Sequence, residues 1–415
     1  MATLCHTLLR VFLPFAAGYF LSYLFRVVNA VIAPDLIADI GVGPSALGML
    51  TASYFIAFAS FQLPLGVLLD RYGPRRVEAV LLVIAAVGAV CFSLADGLFG
   101  LVLGRALIGL GVSACLMASF KAYSLFFAKE KWPLINGLQM AAGGLGALAA
   151  TSPVEALLAF TDWRGVFLGL GGLTLLAAAL VYFVVPEQER SGPKGESIAN
   201  QLRGIREIFT SPVFWRTAPL ATASQAAFMS IHGLWAGPWL THVGRLQRGE
   251  VAEVLFWLAA AMVAGYILFG KLAERLGRRP GGEAATAIGG MCVSMTIQTL
   301  LLVAPSDYSL PLWLAFGFFG TSGVICYSVL AKPFPLHLSG RVTTALNLLV
   351  FVAAFVGQWA IGAIIALVVA PGQPPTPQSF AVGFGVLIFL QLLTLCYYFL
   401  ANPGRHALSA VDKAT

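Results

Sequence analysis

Long apolar runs alternate with short polar segments along almost the whole chain. A helix needs roughly 20 mostly apolar residues to cross the hydrocarbon core of a bilayer. Six segments in each half of the chain meet this requirement. In the first half they are 11–33, 47–69, 77–95, 98–127, 133–160 and 165–185, and in the second half 217–240, 251–270, 283–304, 310–331, 343–369 and 379–401. The pattern predicts an all-α membrane protein with twelve transmembrane helices in two pseudo-symmetric six-helix bundles.

A long polar segment interrupts this pattern near the middle of the chain. It covers 186–216 and separates an amino-terminal bundle over 1–185 from a carboxy-terminal bundle over 217–415. Within it, "IANQLRGIREIF" (198–209) predicts a short amphipathic helix on the membrane surface. The first apolar run is longer than the core of a signal peptide, so we interpret it as a retained transmembrane helix.

The composition indicates that lipid, rather than water, surrounds most of the chain. Its 415 residues are 59% hydrophobic and 10% charged, whereas soluble domains carry about 25% charged residues. The six cysteines show neither CxxC nor zinc spacing, so they predict no disulfide framework and no metal site. We expect no cofactor. The net charge of +7 does not indicate a nucleic-acid partner, because the basic residues follow the predicted topology.

Basic residues concentrate in alternate segments between the predicted helices. With the amino terminus inside, nineteen of the 25 Lys and Arg residues fall in cytoplasmic segments, three fall outside and three lie within helices. This distribution follows the positive-inside rule. We therefore expect both termini in the cytoplasm of a bacterial-type inner membrane, with the chain embedded in the bilayer as a monomer.

The two halves also resemble each other in sequence. The segment "GVLLDRYGPRR" (66–76) follows the second predicted helix, and "GKLAERLGRRP" (270–280) follows the eighth. Internal repeats of this kind are typical of transporters, whose substrate site lies near the bilayer midplane. The matched positions are Gly66 and Gly270, Asp70 and Glu274, Arg71 and Arg275, Gly73 and Gly277, Arg75 and Arg279, and, farther along, Lys121 and Lys332.

These motifs resemble those of the major facilitator superfamily, over essentially the whole chain. The family's loop motif G-x-x-x-D-R-x-G-x-R-R is present as Gly66, Asp70, Arg71, Gly73, Arg75 and Arg76. Arg105 with Gly109 resembles the R-x-x-x-G element of the fourth helix, and 162–167 resembles the segment that opens the sixth. The resemblance implies a secondary active transporter that works by alternating access, and not an enzyme.

The loop motif has a physical interpretation of its own. Gly66 allows two helices to approach closely, and Gly73 permits a tight turn. Asp70 at a helix end can pair with arginines or face the positive amino terminus of a neighbouring helix. Such a latch would hold one arrangement of the halves and release in the other. The alternative is that the arginines only fix the topology.

Charged side chains within the bilayer are functional candidates, because each costs at least about 2.5–3.5 kcal/mol there. Tyr19, Tyr23 and Arg26 share one face of the first helix at i, i+4 and i+7. We expect this stripe to face a central cavity, where Arg26 binds an anionic group and the tyrosines shape the pocket. The alternative is that Arg26 pairs with a carbonyl or an acid near the outer surface.

Further candidates lie on three other helices. In the seventh, Gln225, His232 and Trp235 lie roughly along one face, and His232 would either carry a coupled proton or serve as a neutral hydrogen-bonding residue. Arg105 and Glu155 lie at similar depths near the outer ends of the fourth and fifth helices, so we expect a pair between them. That pair would be structural, or Glu155 would couple the proton.

Lys121 and Lys332 lie near the inner ends of the fourth and tenth helices. They would snorkel to the cytoplasmic surface or, if they point inward, form a symmetric basic gate beneath Arg26.

A cavity of positive sign favours anions and penalises organic cations. We therefore predict a small organic anion as substrate, coupled to protons. The Tyr-x-x-Arg arrangement also resembles the organic-anion and phosphate-ester uptake branches of the superfamily.

The main alternative is a proton-coupled efflux pump for drugs or metabolites. Exporters of the superfamily carry G-x-x-x-G-P-x-x-G-G in the fifth helix, and this chain matches it only in part, because Pro153 comes late and no Gly-Gly follows. Metal transport would rest on Met291, Cys292 and Met295 alone.

A non-transporting sensor could use the same helices without substrate flux. A membrane enzyme would need a nucleophile and base or a metal cluster, and the sequence shows no such motif.

Overall fold

The computed structural model describes residues 6–41, 44–187, 198–303, 309–370 and 375–401, and the regular structure in these ranges is entirely helical. Helices suit lipid because they satisfy every backbone N–H and C=O group within one segment. Part of the predicted linker (188–197) and both chain ends (1–5 and 402–415), with their predicted cytoplasmic location, lie outside the described residues.

Nineteen α-helices are formed by the described residues. In the first half they are α1 (Leu13–Val31), α2 (Ala33–Ile40), α3 (Pro44–Ser60), α4 (Gln62–Tyr72), α5 (Pro74–Ser93), α6 (Leu98–Val112), α7 (Cys115–Phe126), α8 (Trp132–Ala149), α9 (Ser152–Leu158) and α10 (Trp163–Val184). In the second half they are α11 (Ile198–Thr210), α12 (Pro212–Ser230), α13 (Ala236–His242), α14 (Arg248–Leu276), α15 (Gly282–Val303), α16 (Ser309–Gly320), α17 (Ile325–Ala331), α18 (Ser339–Val368) and α19 (Pro377–Leu400).

All twelve predicted spans fall on helix. Among the described residues, ten helical segments are long and apolar enough to cross a bilayer, and eleven when the bent pair Met49–Ser60 and Gln62–Tyr72 counts as one span. The predicted seventh span, 217–240, is helical through α12, a π-helical turn at Ile231–Trp235 and α13, but it is not among the ten. The predicted amphipathic segment forms α11.

Prolines explain two breaks inside predicted spans. The second span bends by 46° between α3 and α4. Pro64 has no N–H for the carbonyl of Ser60, where α3 ends, and its ring clashes with that carbonyl. In the fifth span, Pro153 stands in the same relation to Ala149, the last residue of α8. Each break therefore lies four residues before a proline, and at the second one Thr151 leaves the helical region with φ −94° and ψ −115°.

The helices group into two compact units. The first consists of the described residues of 1–196 together with 335–348, and the second of those of 197–334 and 349–415. The boundary after residue 196 falls within the segment predicted as a linker. Helix α18 begins in the first unit and continues in the second, so its first ten residues belong to a unit assembled mainly from the first half of the chain.

Close helix contacts in the first unit depend on small residues. Gly109 of α6 lies directly against the backbone of Tyr54 in α3, where any Cβ would overlap the Tyr54 carbonyl. Membrane helices gain from such approaches because lipid supplies no hydrophobic force between them. The R-x-x-x-G element therefore sets the spacing of α3 and α6, and this spacing places Tyr54 beside Arg105, one helical turn before Gly109.

Candidate functional site

Arg26 lies in α1 with its guanidinium group among aromatic rings of the first unit. Its Cζ is 4.4 Å from the ring centroid of Tyr23 and 5.5 Å from that of Phe58 in α3. Tyr54 lies within hydrogen-bonding reach of the same group. Cation–π contacts hold a guanidinium in place while its planar N–H donors stay directed at a ligand. The side chain is half-buried, as an anion-binding residue at the wall of a cavity would be.

The two predicted tyrosines lie beside Arg26. Their rings meet edge to face at 5.1 Å, and the Tyr19 hydroxyl donates to Met140 Sδ of α8 at 3.3 Å. Gly143 of α8 leaves room for both rings, since a Cβ there would lie 2.5 Å from Tyr19 and 2.9 Å from Tyr23. The structure thus brings Tyr19, Tyr23 and Arg26 together. Gly143, which matches part of the exporter pattern, has a packing role here.

The predicted pair between Arg105 and Glu155 is wrong. Arg105 is 1% exposed and donates to the Phe25 carbonyl at 2.8 Å, with its Cζ 4.7 Å from the Tyr54 ring centroid. Glu155 is exposed. The prediction assumed one continuous fifth helix, but the helix breaks after Ala149 and Glu155 lies in the separate helix α9.

Asp70 forms a buried cluster with two cations of the first unit. Its Oδ1 lies 2.8 Å from Lys121 Nζ of α7, and its Oδ2 lies 3.2 Å from Arg341 Nε of α18. The side chains of all three residues are at most 4% exposed. The backbone N–H of Gly340, in the first turn of α18, also donates to Asp70 Oδ1 at 3.3 Å. Asp70 therefore faces both an arginine and the positive end of a helix, the two partners expected for it.

Three further hydrogen bonds join the same elements. Lys121 Nζ donates to the Leu336 carbonyl at 2.7 Å and to Ser339 Oγ at 3.1 Å. About two turns away on both α4 and α18, Asn347 Nδ2 donates to Gln62 Oε1 at 3.0 Å, and both residues are buried. Polar groups that are buried in this way and satisfied by one another fix a single arrangement.

The basic gate predicted from Lys121 and Lys332 needs correction. Lys121 is paired with Asp70, and Lys332 Nζ forms an ion pair with Glu283 of α15. Neither lysine snorkels as a lone cation, and neither is an uncompensated positive charge. The sequence matched the two lysines correctly as repeat positions, but it could not show that each has an acidic neighbour on another helix.

The second copy of the loop motif has different surroundings. Glu274 is half-buried and Arg275 is exposed, and neither forms an ion pair within the part of the chain that the structure describes. Gly270 is buried in α14. Gly277 caps α14 with ordinary helical angles, φ −64° and ψ −9°, whereas Gly73 has φ +82°, which favours glycine.

The arginines of the first copy lie at the surface of the first unit. Arg75 Nε donates to the Tyr182 carbonyl at 2.7 Å, and Arg75 Nη1 lies 3.6 Å from Glu187 Oε2. Arg76 also pairs with Glu187, while Arg71 is exposed beside the ring of Tyr72. These contacts are those of residues that anchor a helix end.

In the second unit, the predicted stripe of the seventh helix is interrupted by the π-helical turn. His232 stacks on Phe228 with ring centroids 4.9 Å apart, and its Nδ1 lies 3.2 Å from the Phe228 carbonyl. Trp235 Nε1 donates to the Gln358 carbonyl at 3.0 Å. Gln225 is buried against Gly323. Because a π-turn adds a residue to the helix, Gln225 and Trp235 do not follow one straight stripe.

The sequence reasoning missed Glu78, a buried acid in α5. Its side chain is fully buried, at 0% exposure, and neither carboxyl oxygen has a hydrogen-bond partner among the described residues. The signal in the sequence was its place one helical turn after Pro74, inside an otherwise apolar run. That position resembles an exposed helix end, and only the packing of neighbouring helices shows otherwise.

A model of the Major Facilitator Superfamily matches residues 15–358 of the chain. The chain belongs to this superfamily. Membership confirms the family resemblance and the expectation of a transporter rather than an enzyme. It also agrees with the all-helical fold and the paired copies of the loop motif.

Relatives within the superfamily include proteins named for anionic compounds. The chain is 23% identical over 342 residues to a protein of Cupriavidus necator named as a probable sulfoacetate transporter, and the match covers 78% of each chain. It is 26% identical over 175 residues to a hexuronate transporter of Escherichia coli, covering 42% of this chain and 40% of that one.

A solved structure confirms the fold. The proton:xylose symporter of the superfamily, in a complex with 6-bromo-6-deoxy-D-glucose, superposes with a TM-score of 0.73 at 16% identity, covering 94% of this chain and 96% of that one. At this level of identity the likeness establishes the superfamily fold. The chain is therefore a multi-pass membrane protein of a family of secondary transporters that bind small molecules.

Proposed function

We propose that this transporter moves a small organic anion, coupled to protons, and that Arg26 binds the anionic group. The observation that carries the proposal is the setting of Arg26, a half-buried guanidinium held by aromatic rings inside a membrane span. A guanidinium in such a place attracts an anion strongly, because its charge is screened less there than in water. Tyr19 and Tyr23 shape the pocket next to it.

Other intramembrane cations have contacts of a different kind. Lys121 and Lys332 each have an acidic partner, and Arg105 donates to a backbone carbonyl. The guanidinium group of Arg26 lies against the rings of Tyr23 and Phe58. The names of the sulfoacetate and hexuronate transporters favour the same substrate class.

In the second unit we propose Gln225, His232 and Trp235 as further substrate contacts, with His232 as one candidate for proton transfer. We also propose a monomer in a bacterial-type inner membrane, with both termini in the cytoplasm. The asymmetry of basic segments in the sequence supports this orientation.

We further propose that the Asp70 cluster is the latch of the transport cycle. Its parts come from two helices of the first half and from the first turn of α18. Because α18 continues into the second unit, rupture of the cluster would free that helix to move. Gly66 supports the cluster, since a Cβ there would overlap Thr344 of α18.

The substrate assignment is tested with purified protein and a thermal-shift screen. Bound ligand stabilises a protein in proportion to the logarithm of its concentration. We expect sulfoacetate and glucuronate to raise the melting temperature and organic cations to leave it unchanged. Arg26→Ala should weaken binding of the stabilising anion by about thirtyfold or more, as expected for loss of a charged contact, while Arg26→Lys retains part of the affinity.

Arg278→Ala is the matched control, because Arg278 is exposed in the second unit. It should bind the anion like the wild type. Wild-type affinity in Arg26→Ala would defeat the site assignment, and stabilisation by cationic drugs alone would favour the efflux alternative. Transport assays in proteoliposomes with the pH gradient set in each direction then distinguish uptake from export.

A further inference from the structure

Glu78 is an acidic residue that the proposed anion site does not use. It lies in α5, its side chain is fully buried, and neither carboxyl oxygen has a hydrogen-bond partner within the described ranges. Buried polar groups are almost always satisfied, so an unpartnered one requires an explanation. Ionisable groups kept inside membrane bundles mark ion and proton pathways.

The carboxyl group lies against the backbone of α1. A Cβ at Gly18 would overlap Glu78 Oε1, and Leu82 borders the same space, with its Cδ1 3.5 Å from that Cβ position. Gly18 directly precedes Tyr19, the first residue of the proposed substrate stripe. The carboxyl group of Glu78 therefore reaches helix α1, which carries Arg26. Along this helix, Arg26 lies about 12 Å from Gly18, at a rise of 1.5 Å per residue.

Helix α7 supplies the polar surroundings of Glu78. Cys115 and Tyr123 both lie within electrostatic reach of its carboxyl group. The Tyr123 hydroxyl donates to Gln139 Oε1 at 2.7 Å, and Gln139 Nε2 donates to Ser119 Oγ at 2.6 Å. Buried hydroxyl and amide groups of this kind form the hydrogen-bonded chains along which protons move.

Other titratable and charged groups on the helices around α5 are engaged or exposed. Arg105 donates to the Phe25 carbonyl. Glu187 pairs with Arg75 and Arg76, and Asp39 pairs with Arg164. Arg71 and Tyr182 are exposed. Lys121 forms its ion pair with Asp70. In the second unit the equivalent lysine, Lys332, pairs instead with Glu283, near the start of the matching helix α15.

Cys115 links Glu78 to the proposed anion site. It lies within electrostatic reach of Arg26 as well as of Glu78. A negative charge on Glu78 and an anion on Arg26 would repel each other across this space. At an effective dielectric constant of about 20, two charges separated by about 12 Å, the helical rise from Gly18 to Arg26, would change each other's binding by roughly tenfold.

We propose that Glu78 is the proton-binding site that couples proton movement to anion transport, an inference that rests on the proposed function. The carboxylate takes up one proton and becomes a neutral acid, and the anion then binds at Arg26 without repulsion. Release of the anion and of the proton returns the carboxylate. The proton and the anion thus cross the membrane together, and no covalent bond other than the O–H bond of the carboxylic acid forms or breaks.

The proton site is tested without a substrate by infrared difference spectroscopy of the full-length protein in lipid as the pH is changed. Wild type should show a carboxylic C=O band that titrates, and Glu78→Gln should lack it. Persistence of the band in Glu78→Gln, or its loss in Glu155→Gln instead, would overturn the proposal. This measurement stands even if the protein transports no organic anion.

Coupling is tested by binding of sulfoacetate, whose sulfonate charge does not change over the range studied. In the wild type its affinity should fall roughly tenfold as Glu78 loses its proton at rising pH, and in Glu78→Gln it should stay high and independent of pH. An unchanged pH dependence in Glu78→Gln would refute the coupling. If wild type binds neither sulfoacetate nor glucuronate while the infrared band is present, the substrate class is wrong and the proton site stands.

Gly18→Ala offers a second variant that keeps the carboxyl group but forces it to move. We expect a shifted pH profile in the infrared titration with normal folding, because the overlapping atom is the flexible end of a side chain. Gly169→Ala is the matched control, since a Cβ at Gly169 in α10 meets nothing within 4 Å. A profile for Gly18→Ala that coincides with wild type would place the carboxyl elsewhere and contradict the proposed site.

Discussion

Asp70 and Glu274 occupy the same position of the repeated loop motif, but their burial and their ion-pair partners differ. Asp70 is buried and meets Lys121, Arg341 and the first turn of α18. Glu274 is half-buried and forms no ion pair within the residues that the structure describes. The lysine of the second unit, Lys332, pairs with Glu283 rather than with the motif.

The difference shows what a repeat in sequence does and does not determine. The motif sets a helix end, a turn and a row of basic residues in both copies. The partners that turn one copy into a buried cluster come from outside it, from α7 and from residues 336–344. A carboxylate in a buried cluster can hold a conformation, whereas a partly exposed one that forms no ion pair contributes little.

The largest expected effect separates the two acids directly. Asp70→Asn leaves Lys121 and Arg341 buried without their counter-charge, so the free energy of unfolding should fall by about 3–5 kcal/mol. Glu274→Gln should change it by no more than about 0.5 kcal/mol, as for most surface substitutions. Unfolding in mixed micelles measures both. Equal losses would show that the copies are equivalent.

The lysines give the next contrast. In Lys121→Met, Asp70 keeps Arg341 and the Gly340 N–H, so we expect a loss of stability of about 2 kcal/mol. In Lys332→Met the broken pair is more exposed, with the lysine side chain 25% accessible, and the loss should be about 1 kcal/mol or less. A larger loss of stability in Lys332→Met than in Lys121→Met would contradict the view that the more buried ion pair contributes more.

Gly66 tests whether close packing on α18 distinguishes the first copy. Gly66→Ala should cost about 1–3 kcal/mol, the usual price of overpacking, because its Cβ would overlap Thr344 Oγ1. Thr344→Ala in the same chain should restore part of the loss. The hydroxyl bonds only to carbonyls of its own helix, at 2.9 and 3.1 Å, so its removal alone costs little. Additive losses in a double-mutant cycle would contradict this contact.

The smallest effect concerns the arginines at the surface of the first copy. Glu187→Gln removes the partner of Arg75 and Arg76, and the expected loss is about 0–1 kcal/mol because these side chains are partly exposed to solvent. That loss should vanish at high salt, whereas the loss in Asp70→Asn should persist, since buried pairs are screened much less. A salt-sensitive Asp70 effect would indicate that the cluster is open to water.

Much of the fold followed from the sequence, because the length and hydropathy of each span depend on the bilayer alone. The positions of the predicted spans agree with the helices, and the stripe of Tyr19, Tyr23 and Arg26 is a local property of α1. The pair of Arg105 with Glu155 failed because rise along a helix gives depth but not direction. Glu78 was missed for the same reason, since only packing against Gly18 shows that it is buried.

The two-part composition of the first unit bears on how the protein is made. Ribosomes deliver the chain from its amino terminus, and domains generally fold in that order. The first unit, however, includes residues 335–348, which emerge only after most of the second half has been synthesised. Until then Asp70 and Lys121 lack the first turn of α18, so a fragment ending near residue 196 should insert into membranes yet remain incomplete. Co-expression with the remaining half is the natural way to complete it.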